Sequence, residues 1–333
     1  MVYGPCGGVH DDLTCEMAPV PCPFSSGQPV VFEVEDTTGT QDLPRVPGHG
    51  SALTRAAILG PVVLTDFSVR PFDADSVRRV AGALAGSCDA FLVGEHQDSP
   101  DFPPALMASL IMEAGGSPWI TLTCRDRNRL VLEQELAGLR HAGVDGVLCV
   151  TGDGRAPGVR PGVTQVFDLD GTRLAAMAAS AGLCAAVPES PAAPPVTLRP
   201  RRLLEKQRAG AELCILNHVS HPADARVFAD SAREAGVTLP LIAAVAVYTD
   251  ERSAVVLQHF PGLQLDPRTV HSVLSAPDPV AAGIAVAVAE AGELLAIDGI
   301  SGVNISGMAS ERGQLYAAEI KAAVGHAIRA KAG

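Results

Sequence analysis

From Pro61 onward the chain alternates regularly between short apolar runs and longer stretches of helical spacing. The runs are PVVLTDF (61–67), CDAFLVG (88–94), PWITLTC (118–124), GVLCVTGD (146–153), GLCAAVPE (182–189), AELCILN (211–217), LPLIAAVAV (239–247) and GISGVNIS (299–306). The helices predicted between and after them are Asp73–Gly86, Pro103–Gly115, Arg129–Gly143, Asp170–Ala181, Leu198–Gly210, His221–Gly236, Asp250–His259, Pro277–Ala291 and Glu311–Lys331. Asp168 or Asp170 is a candidate N-cap for the fourth. The runs are continuously apolar rather than alternating, which marks parallel strands buried on both faces. Eight such strand–helix units predict an α/β fold, a (β/α)8 TIM barrel over residues 51–333. A doubly wound open sheet is the alternative, and no GxGxxG follows the first run to support a dinucleotide site. Residues 1–50 read differently, as a short Cys/Gly/Pro-rich extension whose part from 25 to 50 is a loose connector.

Composition narrows the function. Hydrophobic residues make up 47% of 333 and charged ones 19%, enough for a large core and too apolar for a disordered chain. The net charge is −12, no basic block occurs, and aromatics are 4%, so nucleic acid is not an expected partner. No apolar run approaches the ~20 residues of a membrane span. The opening MVYGPCGGVHDD has neither the basic nor the apolar segment of a signal peptide. Eight cysteines are too dilute for a disulfide scaffold. The expectation is a cytoplasmic protein acting on small molecules, with Cys88, Cys124, Cys149, Cys184 and Cys214 as buried thiols.

In a barrel of this kind active sites sit where the strands end. The polar residues there are Asp66, Glu95, Thr123 with Arg125, Asp153, Glu189, Asn217 with His218, Tyr248 and Asn304. Carboxylates gathered around one mouth repel, which raises at least one pKa and suits a general acid; individually, each could equally cap the next helix. His96, His218 and His221 lack metal-site spacing, and neither GxSxG nor a P-loop is present. In the extension, Cys6-x8-Cys15-x6-Cys22 could hold a structural zinc, with His10 or a barrel residue as fourth ligand, or could be unligated thiols in a packed knob.

Several of these segments resemble methylenetetrahydrofolate reductase: TLTCRDRNR (121–129), GVDGVLCVTGD (143–153), LLEKQRAGAELCILNH (203–218) and FPGLQLDP (260–267). The similarity runs over about Pro61–Ala330, and YGPCGGVHDDLTCE resembles a small cysteine-bearing domain that accompanies some bacterial members. The resemblance implies a (β/α)8 barrel that reduces 5,10-methylenetetrahydrofolate, with NAD(P)H as donor and in most members a flavin relay. It also implies that Asp153 is the aspartate holding the pterin edge and that Asp66 stands where the family's proton-donating glutamate does, one methylene shorter. Glu95 and His218 join Asp66 as candidate catalytic groups, and Lys206 matches the family lysine. Thr123, Arg125, Glu189, Asn217 and Asn304 join Asp153 and Lys206 as candidate substrate contacts.

The departures from the family pattern are informative. Asn217-His218 replaces the family's Thr-Gln, and Val187-Pro188-Glu189 lacks the tyrosine and histidine that grip flavin, so flavin is not expected. One alternative to the reductase is a one-carbon transferase that delivers the methylene of the 5-iminium to a nucleophile, with His218 as base. A second is a non-catalytic subunit that docks a partner chain, or another copy, through the extension.

Overall fold

The computed structural model describes residues 12, 14–15, 18–21, 50–96, 99–155, 159–160, 162–258 and 265–332. In the extension a two-stranded antiparallel sheet, β1 (Thr14–Cys15) with β2 (Ala18–Pro21), occurs where the sequence predicts no element. The first helix, α1 (Ala52–Leu59), is also unpredicted; Ser51 caps it by accepting from the Thr54 N–H at 2.9 Å.

Eight parallel strands follow: β3 (Val62–Phe67), β4 (Ala90–Val93), β5 (Pro118–Thr123), β6 (Gly146–Val150), β7 (Cys184–Glu189), β8 (Ala211–Leu216), β9 (Leu241–Tyr248) and β10 (Ile300–Ala309). Each pairs with the next, and β10 returns to β3, so the sheet closes in chain order. The protein is a (β/α)8 barrel. Its helices are α2 (Ala74–Leu84), α3 (Pro104–Glu113), α4 (Arg129–Ala142), α5 (Gly171–Ser180), α6 (Arg199–Arg208), α7 (Pro222–Glu234), α8 (Glu251–Gln258), α9 (Pro267–Leu274), α10 (Pro279–Leu295) and α11 (Gln314–Ala332).

Helix boundaries follow local chemistry. Asp73 and Asp170 cap α2 and α5 through their carboxylates. Asp168, the other candidate cap, instead accepts the Arg129 N–H at 2.8 Å. Helix α9 lies where the sequence predicts no element: Asp266 caps it and Pro267 supplies its first position.

The strands are buried on both faces, and successive residues take opposite sides. Val62, Leu64, Ala90, Leu92, Trp119, Leu148, Cys184, Ala186, Leu213, Ile215 and Ile242 fill the barrel, closed below by Leu53 and Ala57 of α1. The intervening residues form the larger core beneath the outer helices. Trp119 requires its neighbour: a Cβ at Gly146 would lie 2.5 Å from the indole. Among the described residues no helix is long and apolar enough to cross a membrane.

Candidate active site at the barrel mouth

Strand parity decides which strand-end residues reach the mouth. On β3 the inward positions are Val62 and Leu64, and therefore Asp66; on β10 they are Gly302, Asn304 and Ser306. These adjacent strands form one group. The Asn304 amide donates to Asp66 Oδ1 at 2.8 Å, and the Gly307 N–H donates to Oδ2 at 3.3 Å. Asn304 is 4% exposed, and its Oδ1 is buried without a hydrogen-bond partner among the described residues.

His218, just past β8, belongs to the same group. Its Nε2 lies 2.8 Å from Ser306 Oγ. Burial pulls its pKa down to about 4, with the nearby Asp66 charge opposing, so the imidazole is neutral at physiological pH. The histidine is thus depressed in the folded chain relative to its ordinary 6.5. Stability that it supports is present above that value and is lost as pH falls towards about 4, because the unfolded chain takes up the proton first. His218→Gln is therefore expected to lose less stability than wild type across this interval in urea unfolding; coincident pH profiles would contradict a buried neutral histidine.

Asp153 stands apart. It follows β6 in a turn that Gly152 makes possible with φ +85. Half-buried, its carboxylate has no hydrogen-bond or ion-pair partner among the described residues. Burial pushes its pKa up, and the Arg125 charge pulls it part of the way back.

Other predicted residues are engaged with each other. Thr123 donates to Glu95 Oε2 at 2.6 Å, and Arg127 donates to the same oxygen at 2.9 Å. Arg125 is 2% exposed and is spent on Asp126 at 3.0 Å and on the His96 carbonyl at 3.3 Å. Arg155 closes on Asp126 from the other side at 2.7 Å. A cavity of about 370 Å3 opens beside this cluster, lined by Glu95, Phe102, Met107, Arg127 and Arg155. It lies over β4 and β5, and neither Asp66 nor Asp153 lines it.

Glu189 and Lys206, expected as substrate contacts, are placed outside the mouth. Cys184 and Ala186 point into the barrel, so Glu189 shares the outward face of Ala185 and Val187. There it pairs with Lys206 at 2.7 Å and with Arg199 at 3.3 Å, and Lys206 also donates to the Pro188 carbonyl. Glu189 is 2% exposed. Burial alone would raise its pKa, but Lys206, Arg202 and Arg199 outweigh that and hold it low. This buried ion cluster fastens α6 to β7. Asn217, on the inward side, donates to Ser190 Oγ at 2.6 Å. Tyr248 packs with Ala254, Leu257 and Val273 beneath α8 and α9. Cys6, His10, Cys22 and the Cys15 side chain lie outside the described residues; among those described, no group of three or more His, Cys, Asp or Glu is placed to hold a metal.

Sequence reasoning passed over Ser306, Arg127, Asp126 and Arg155. Ser306 was reachable: it is two residues past Asn304 and on the same face.

No family model matches the chain, and no curated protein matches it. Solved structures that align with it include tryptophan synthase from M. tuberculosis, at 13% identity and TM-score 0.47, covering 83% of this chain and 97% of that one. The carboxyl transferase domain of Rhizobium etli pyruvate carboxylase aligns at 14% and 0.47, covering 83% of this chain and 48% of that one. The 2,3-dimethylmalate lyase, a PEP mutase/isocitrate lyase superfamily member, aligns at 13% and 0.46, covering 76% and 79%. At such identities and scores these likenesses carry no argument about activity. Strand order and closure define the class, a (β/α)8 barrel with ionisable groups gathered at the C-terminal ends of its strands.

Proposed function

We propose that the protein is an enzyme of the methylenetetrahydrofolate reductase type, binding 5,10-methylenetetrahydrofolate at the C-terminal face of the barrel and reducing it with NAD(P)H, without flavin. The observation that carries this reading is the unpartnered, half-buried carboxylate of Asp153. A carboxylate in that state favours a ligand presenting two adjacent N–H donors, which the amino-pyrimidinone edge of a pterin does. The orphaned Asn304 Oδ1 is a second acceptor in need of a donor. Asp66, once it has taken up a proton from solvent, is the donor to the folate amine that leaves the methylene carbon, and it is reprotonated from solvent after each turnover. Hydride from the nicotinamide then adds to that carbon, giving 5-methyltetrahydrofolate and NAD(P)+, with one proton and one hydride consumed.

One observation favours a second reading, methylene transfer to a nucleophilic acceptor. His218, hydrogen-bonded to Ser306, has the Asp66 charge beside it to offset part of the cost that burial puts on an imidazolium, and it is the group this reading uses to take a proton from an attacking group. NAD(P)H oxidation that depends on methylenetetrahydrofolate supports reduction; folate consumed without it supports transfer.

Asp153→Asn tests the anchor. Loss of the charge-assisted pair is expected to weaken tetrahydrofolate binding by about 1.5–3 kcal/mol, roughly 10- to 100-fold in Kd. The same variant is expected to be more stable than wild type at neutral pH. The folded pKa of Asp153 lies above its ordinary 3.8, so ionising it when folded costs stability. That cost vanishes in acid and grows as pH rises through the folded value. An unchanged Kd would remove Asp153 from the binding site.

A further inference from the structure

Lys321 of α11 is 3% exposed. Its ammonium donates to the main-chain carbonyl of Asp66 at 3.0 Å, and no carboxylate oxygen pairs with it among the described residues. Cys88, which it also senses, is not a counter-ion, because burial pushes that thiol up to about 12. Burial lowers the lysine's pKa and the Asp66 charge, near but not in contact, pulls it only part of the way back; an ammonium whose one hydrogen bond among the described residues is to a carbonyl is costly at that depth, and a methionine of similar length would pack there without the cost. Stability therefore does not account for the lysine. What it touches does: the carbonyl belongs to the residue whose carboxylate must be presented to the mouth.

Asp66 is held from two sides. Strand β10 grips the carboxylate through Asn304 and Gly307, and α11 grips the backbone through Lys321. We propose that Lys321 is a positioning residue for Asp66, pinning the end of β3 so that a proton donor one methylene shorter than the family glutamate is held at a fixed height against Asn304. This inference rests on the reading of Asp66 as proton donor. A misplacement of the order of an ångström costs about 100-fold in rate, whereas binding through Asp153 is untouched.

The test compares Lys321→Met and Lys321→Arg with wild type. Lys321→Met is expected to keep or raise Tm. Its kcat should fall at least about 10-fold with the KM for methylenetetrahydrofolate unchanged, and Lys321→Arg should lie between it and wild type. A residue that merely fastens α11 would lower Tm and leave kcat alone, and that result overturns the proposal. Should Lys321→Met not fold, a wild-type kcat in Lys321→Arg overturns it equally. A folate-free readout separates this claim from the reductase reading. The side-chain amide resonances of Asn304, assigned by their loss in Asn304→Ser, should move in Lys321→Met because the Asp66 acceptor has moved. If the unliganded variant leaves them in place, the positioning role is wrong. If they move while wild type neither binds nor turns over folate, the positioning stands and the reductase reading fails.

Discussion

Asp66→Asn is expected to reduce methylenetetrahydrofolate-dependent NAD(P)H oxidation by about 10³-fold, the middle of the range for a general acid. Its Kd for tetrahydrofolate should change little. The amide retains an oxygen for Asn304 to donate to, so the shorter of the two β3–β10 contacts survives, while the Gly307 N–H loses its acceptor and the transferable proton is lost. Asp66→Glu keeps a transferable proton but shifts it by one methylene, so its turnover is expected to lie between that of wild type and that of Asp66→Asn. Steady-state kinetics beside calorimetry read both quantities. A fully active Asp66→Asn enzyme would place the acid elsewhere.

Glu189→Gln is expected to destabilise the fold by about 3–5 kcal/mol, because it strips the buried carboxylate from its ion pairs with Lys206 and Arg199. Tm should fall by on the order of 10 °C. The effect has a definite pH dependence. The cations hold the Glu189 pKa below its ordinary 4.5, so its contribution is present above that value and is lost as pH falls through the depressed one. The gap between variant and wild type should therefore narrow in acid. Folate affinity of the folded variant should match wild type. A variant with unchanged Tm and weakened folate binding would return Glu189 to the substrate site.

The contrast between Asp66 and Glu189 explains how much of the site was legible in the sequence. Both close an apolar run, and counting runs alone treats them alike. Parity separates them: Asp66 is in step with the inward Val62 and Leu64, and Glu189 is out of step with the inward Cys184 and Ala186. The eight strands themselves were legible because each is a continuous apolar run between turn residues. Helix α1 was hidden behind the Pro/Gly-rich stretch before it, although Leu53 and Ala57 close the barrel floor. The Lys321–Asp66 contact spans 255 residues, and no local pattern signals it; only closure of β10 onto β3 brings α11 to that carbonyl.

If the rim of this barrel clasps a reduced pterin, titration calorimetry of the wild-type chain with tetrahydrofolate will show saturable binding at one site per chain, weakened in acid as Asp153 takes up a proton. A titration with no heat above dilution at neutral pH, on protein shown by its unfolding transition to be folded, would contradict it.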